Sequence, residues 1–95
     1  MTSPDNQPVD SRFRLGGTPR GDLMFYDGLR KIEIGTDTHR CGGGVEITLF
    51  ANSLRAWEYP YQNDPLTRPI KEEILRTASN LLQSQDARVT VKIEW

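Results

Sequence analysis

The sequence predicts an α+β domain: a four- or five-stranded, mostly antiparallel sheet in β-β-β-β-α-β order, with one helix packed on one face. Three observations carry this expectation. Asp27-Gly28 divides two short β-type runs, Leu23–Tyr26 and Leu29–Ile34. Val45–Ala51 and Val89–Trp95 alternate apolar and polar residues at the period of a half-buried strand. Between them, Ile70, Ile74, Ala78 and Leu81, with Leu75 and Leu82 beside them, recur at helical spacing. A single helix among several strands puts the fold among α+β layers rather than alternating βαβ units.

The elements follow in order. Residues 1–21 hold three prolines and the loop-like stretch Leu15–Gly21, and they predict a flexible arm with no core of its own. Phe13 is a candidate for a short contact. The folded domain is then expected over 22–95. In Leu29–Ile34, Ile32 and Ile34 share one face, with Lys31 and Glu33 on the other. Gly35–Gly44 reads as a loop ending in three glycines. In the next strand Val45, Ile47 and Leu49 face one way, and Glu46, Thr48 and Phe50 the other. Asn52 suits a turn, which makes Ser53–Tyr59 a returning strand that Pro60 ends. Thr67 is the expected helix N-cap and Pro69 fits the first turn. Glu72 and Glu73 are expected in that turn, and Glu72 is placed to pair with Arg76. The helix should run from about 67 to about 83. Val89, Val91, Ile93 and Trp95 then alternate with Thr90, Lys92 and Glu94. The expected core is Phe25, Ile32, Ile34, Val45, Ile47, Leu49, Leu54, Ile74, Ala78, Leu81, Val91 and Ile93.

Composition removes several classes of function. The chain has 95 residues, 36% hydrophobic and 26% charged, enough for one small domain. No apolar run approaches the roughly 18 residues of a membrane span, and the first residues lack the pattern of a secretory signal. One cysteine, Cys41, makes no internal disulfide, and with His39 it is too little for a zinc site. Twelve basic and thirteen acidic residues give net −1, without the basic excess of a nucleic-acid binder. The expectation is a cytoplasmic protein without cofactor or metal, and with neither nucleic acid nor membrane as partner.

The motifs that carry chemistry elsewhere are weak here. His39 and Cys41 share a face on an extended segment, but spacing places no third group to orient the imidazole. Gly42-Gly43-Gly44 precedes a strand and lacks the phosphate-loop spacing. Glu72 and Glu73 are adjacent on a helix and point apart. No nucleophile, metal site or carboxylate dyad emerges, so the chain is expected not to be an enzyme.

Arg55-Ala56-Trp57-Glu58-Tyr59-Pro60-Tyr61 differs from the rest, with three aromatics and two charges in seven residues. If Leu54 and Ala56 face the helix, Arg55, Trp57 and Tyr59 face the other way, along with Phe50. Trp, Tyr and Arg dominate binding hot spots because they join large rigid area to a hydrogen-bonding tip. Arg55, Trp57, Glu58, Tyr59 and Tyr61 are therefore the candidate partner-binding residues. The competing arrangement is a second small core, with Phe13 and Leu15 covering the aromatics.

The stretch Ser53-Leu54-Arg55-Ala56-Trp57-Glu58-Tyr59-Pro60, an acidic loop through Asp64, the helix and a valine-rich last strand together resemble a bacterial family of polymorphic toxin systems, immunity protein 74. The likeness runs from about Tyr26 to Trp95. It implies a small α+β protein that neutralises a cognate toxin by binding it, with no catalytic residues to carry over. Arg55, Trp57, Glu58 and Pro60 match the family's box, as contacts or as structural marks of the fold. The alternative function is a homo-oligomeric structural or regulatory protein, with a second copy of the chain as partner.

Overall fold

A computed structural model describes residues 12–95. The strands are β1 (Phe13–Gly17), β2 (Leu23–Asp27), β3 (Arg30–Cys41), β4 (Gly44–Phe50) and β5 (Val89–Glu94), and the helix α1 (Arg68–Gln85) lies between β4 and β5. They form one five-stranded sheet in the order β1-β2-β3-β4-β5. The first four strands are antiparallel in sequence, and β5 joins β4 in parallel. A parallel neighbour needs a long crossover, and α1 supplies it. The α+β class and the β-β-β-β-α-β order are as the sequence predicts.

The strands that fill that order are partly different. Phe13–Gly17 pairs with β2, Leu15 opposite Phe25, so the sheet begins inside the segment expected to be a flexible arm, ahead of the boundary at 21. Residues 1–11 of that arm lie outside the described residues. Gly35–Cys41 is strand rather than loop. β3 is twelve residues long and uses both edges: Arg30–Ile34 pair with β2, and Gly35–Cys41 pair with β4. Thr36 and Thr38 are β-branched and supported by Leu49 and Ile47 opposite, which is what a strand asks of its residues. The expected loop shrinks to the two-residue turn Gly42–Gly43, where Gly42 takes the left-handed φ of +57°. Gly44 passes so close to the Arg88 carbonyl that a β-carbon there would collide with it. That approach lets the Val45 N–H donate to the Arg88 oxygen at 3.1 Å and start the parallel ladder. On the turn leading into β5, the Asp86 carboxylate accepts the Arg88 N–H at 2.9 Å. That backbone hydrogen bond, with the Arg88 side chain, holds the carboxyl below its usual range.

Helix and sheet enclose the core. Phe25, Ile32, Ile34, Leu49, Ala51 and Leu54 meet Ile74, Leu75, Ala78 and Leu82 of α1. Leu81, expected at the centre of the buried stripe, is only half-buried, because the helix is rotated toward Leu75 and Leu82. Ile93 is 38% exposed, since α1 does not reach the outer side of β5. Val45, Ile47 and Val91 are half-buried. Thr67 precedes the helix in extended conformation without a side-chain cap, its carbonyl accepting the Lys71 N–H at 2.9 Å. Because α1 starts at Arg68, Glu72 falls beyond the first turn. It pairs back to Arg68 at 3.2 Å instead of forward to Arg76.

Candidate partner-binding surface

The segment after β4 decides where the candidate residues point, and it is not a strand. Ala51–Ser53 form one 3₁₀ turn, and Leu54–Pro60 then run irregularly beside the first half of β3. Two polar anchors hold this path. The Ser53 hydroxyl accepts the Gly35 N–H at 2.8 Å and donates to the Phe50 carbonyl at 2.6 Å. Further on, the Glu58 N–H donates to the Lys31 carbonyl at 2.8 Å. Both anchors satisfy edge groups of β3 where β4 has ended, which is why the segment hugs the sheet without a regular ladder.

Strand alternation fails between these anchors. Leu54 is buried as expected, but Ala56 is exposed and Trp57 is only 2% exposed. The expectation that Trp57 lies on the open face is corrected: its ring enters the helix side of the sheet. There the indole N–H donates to the Pro65 carbonyl at 3.3 Å, and the Arg30 guanidinium stacks 4.1 Å from the ring centroid. Arg30 also donates to Asp27 at 2.8 Å and Asp64 at 3.1 Å. The hydrogen bond to Asp27, opposed by partial burial and helped by Asp64, raises its pKa further and keeps it charged. A planar cation between an indole and two carboxylates clamps the acidic loop to the start of β3. A cavity of about 170 Å³, lined by Phe13, Arg30, Trp57 and Glu73 among others, opens beside the clamp.

The other candidates point to solvent. Arg55 and Glu58 are exposed, and Tyr59 is 82% exposed. Tyr59 sits at the corner of a turn closed by the Tyr61 N–H on the Glu58 carbonyl at 2.9 Å, with a cis Tyr59–Pro60 peptide. Tyr61 is half-buried and packs against the core. The seven-residue aromatic stretch is thus divided: Trp57 and Tyr61 turn inward, while Arg55, Glu58 and Tyr59 turn outward. Phe50 and Tyr26 keep to the open face, where Phe50 is half-buried and Tyr26 lies under the Arg14 guanidinium. The alternative of a second core beneath the arm is not what forms. Phe13 and Leu15 pack on the same core as Trp57, on the helix side.

Arg55 and Glu58 border an open groove of about 460 Å³ whose opposite wall is Arg20, Asp22 and Glu33. Arg20 donates to Glu33 at 2.8 Å, and the Asp22 carboxylate accepts the Thr36 N–H at 3.1 Å. Glu33 and the nearby charges raise the Arg20 pKa. None of these three is among the partner-binding residues that residue type points to. Glu33 was already legible as outward-facing; Arg20 and Asp22 join it only through the β1–β2 turn. The groove can hold charged and hydrogen-bonding groups of a partner, with an exposed tyrosine beside it.

Strand β3 also lines up Asp37, His39 and Cys41 on the open face, with Asp37 Oδ2 3.2 Å from His39 Nε2. An acid that spacing did not identify therefore stands beside the imidazole. All three residues are exposed on the sheet surface. Among the described residues no group of three or more His, Cys, Asp and Glu side chains is placed to hold a metal ion, and no helix is long and apolar enough to cross a membrane.

Comparison with known proteins finds no match: no family model fits the sequence, and no curated protein or solved structure is similar to it.

Proposed function

We propose that this chain is a non-enzymatic protein-binding module, an immunity protein that neutralises a cognate bacterial toxin in the cytoplasm by binding it. The observation that carries the reading is Tyr59, 82% exposed at the corner of an ordered turn, beside Arg55 and Glu58 on the rim of a charged groove. A tyrosine so placed brings rigid area and a phenol tip to a partner at a low ordering cost, because its backbone is already held by the turn. Arg55 and Glu58 supply charges of both signs, which fix orientation on a partner of complementary pattern. Trp57 acts indirectly, holding the turn in place from the core. The likeness of Ser53–Pro60 to the immunity-protein box supports the toxin as the class of partner.

The test uses a toxin domain encoded beside the gene. Calorimetry should show one chain bound per toxin domain, and the chain should block the toxin's activity. Arg55→Glu with Tyr59→Ala should weaken binding by about 2 kcal/mol or more while circular dichroism stays that of the parent. Unchanged affinity in the folded double variant would sink the surface; no binding by the parent chain would sink the function.

A further inference from the structure

β5 is the outermost strand on its side of the sheet, and no other described strand pairs with its free edge. Its ladder to β4 fixes which groups it leaves over. The Val45 N–H donates to the Arg88 carbonyl, and Val45 pairs with Val89 in parallel register. In a parallel ladder this pattern returns at alternate residues. Arg88, Thr90, Lys92 and Glu94 therefore turn their backbone groups toward β4, and Val89, Val91 and Ile93 turn theirs outward. The Val89 N–H is taken by the Asp86 carbonyl at 3.1 Å. The outward groups of Val91 and Ile93 have no hydrogen-bond partner among the described residues.

Apolar surface gathers at the same place. Ile93 is 38% and Trp95 43% exposed, and they border a groove of about 330 Å³ against Glu72, Leu75, Arg76 and Ser79 of α1. Free edges are usually blunted by proline, by a bulge, by an inward-pointing charge or by charged side chains, lysine above all. β5 has no proline, its register with β4 is unbroken, and its two charges, Lys92 and Glu94, are of opposite sign on the open face. The other edge strand, β1, is five residues long with two glycines, and Arg14 is its one charge.

We propose that β5 pairs antiparallel with β5 of a second copy of this chain, about a two-fold axis at Ile93, joining the two sheets into one. Only registers that set outward groups against outward groups can form bonds, so the choices differ by steps of two residues. Centring on Lys92 sets two ammonium groups face to face, which is destabilising. Centring on Val91 needs the Val89 N–H and the Arg88 side chain, and both are engaged by Asp86. Centring on Ile93 leaves those groups as they are and draws instead on Trp95, whose carbonyl accepts only the exposed Asn52 amide at 3.3 Å and whose ring lies under the Arg68 guanidinium. It places Ile93 against Ile93 of the second copy, Lys92 against Glu94, and Val91 against Trp95. The two Lys92–Glu94 pairs then occupy the non-hydrogen-bonded positions, where facing side chains come closest. The apolar side chains exposed in the single chain cover one another on the helix side, and the Arg55–Tyr59 surface stays free.

Sedimentation velocity on the full chain, from about 1 to 200 μM, brackets the micromolar affinity expected of a short edge pairing. The expected result is a concentration-dependent species of twice the chain's mass. Ile93→Pro removes an outward N–H and leaves the ladder to β4 intact. It should keep the parent's circular dichroism and weaken self-association at least about tenfold, since both central hydrogen bonds are lost. A chain that stays single over the whole range overturns the proposal, as does a folded Ile93→Pro that dimerises like the parent. Should Ile93→Pro unfold, cross-linking decides in a Cys41→Ser background. Lys92→Cys chains mixed with Glu94→Cys chains should form disulfides faster than either alone. Equal rates, or faster linking of Lys92→Cys to itself, would refute the register.

Discussion

Trp57 and Tyr59 stand two residues apart, and their surroundings could hardly differ more. The indole is 2% exposed, bonded to Pro65 and stacked under Arg30. The phenol is 82% exposed, at a turn corner. On a strand, positions two apart share a face. Here they do not, because the hydrogen bonds that hold the segment come from Gly35 and Lys31 and not from a ladder of its own. Once the backbone is anchored at only two points, the side chains between follow available partners instead of parity. A half-buried cation ready to stack on an indole decides the fate of Trp57, and Tyr59 has no such offer. The comparison teaches that stability and recognition are divided between neighbouring aromatics that look alike in sequence.

The sharpest way to break the comparison is Trp57→Ala. Removing a core indole and uncovering Arg30 should cost about 3–5 kcal/mol, a large part of a small domain's stability. Urea unfolding followed by circular dichroism measures it. A loss under about 1 kcal/mol would mean the ring is not integral to the core. Ser53→Ala comes next. It removes the hydroxyl that accepts from Gly35 and donates to Phe50, and should cost about 1–2 kcal/mol while freeing the start of the segment. Faster exchange of the Gly35 amide hydrogen would locate the effect, and an unchanged rate would contradict the anchor. Tyr59→Ala should change stability least, within about 0.5 kcal/mol, because the phenol buries almost nothing in the single chain. A cost of several times that in the same urea experiment would show that the tyrosine belongs to the fold.

Much of the fold was legible because it is written locally. Alternation at Val45–Ala51 and Val89–Glu94, a turn dipeptide near Gly28 and helical spacing from Ile70 are each visible within a short window. The missing parts depend on distant residues. Phe13–Gly17, with its two glycines and an arginine, has little strand preference of its own, and it is extended because β2 offers a partner edge. Gly35–Cys41 looks like a loop until β4 is laid beside it. The candidate surface was half legible: the exposed Arg55, Glu58 and Tyr59 came from residue type, but the burial of Trp57 required Arg30, Asp64 and Pro65. The opposite wall of the groove required the turn that carries Arg20 to Glu33.

Gly42, Gly43 and Gly44 read as one undifferentiated run, yet the fold treats them as three separate sites under substitution. Gly42 takes a left-handed backbone, so Asn or Asp is the least costly replacement there. Gly43 has open space around it and a backbone that demands nothing special, so most side chains should be accepted. Gly44 is the strict one: even alanine would strike the Arg88 carbonyl and lift the last strand from its neighbour. Among drifting relatives of this chain, the glycine run would erode from its middle, and its final member would be retained for the docking of a strand far along the sequence.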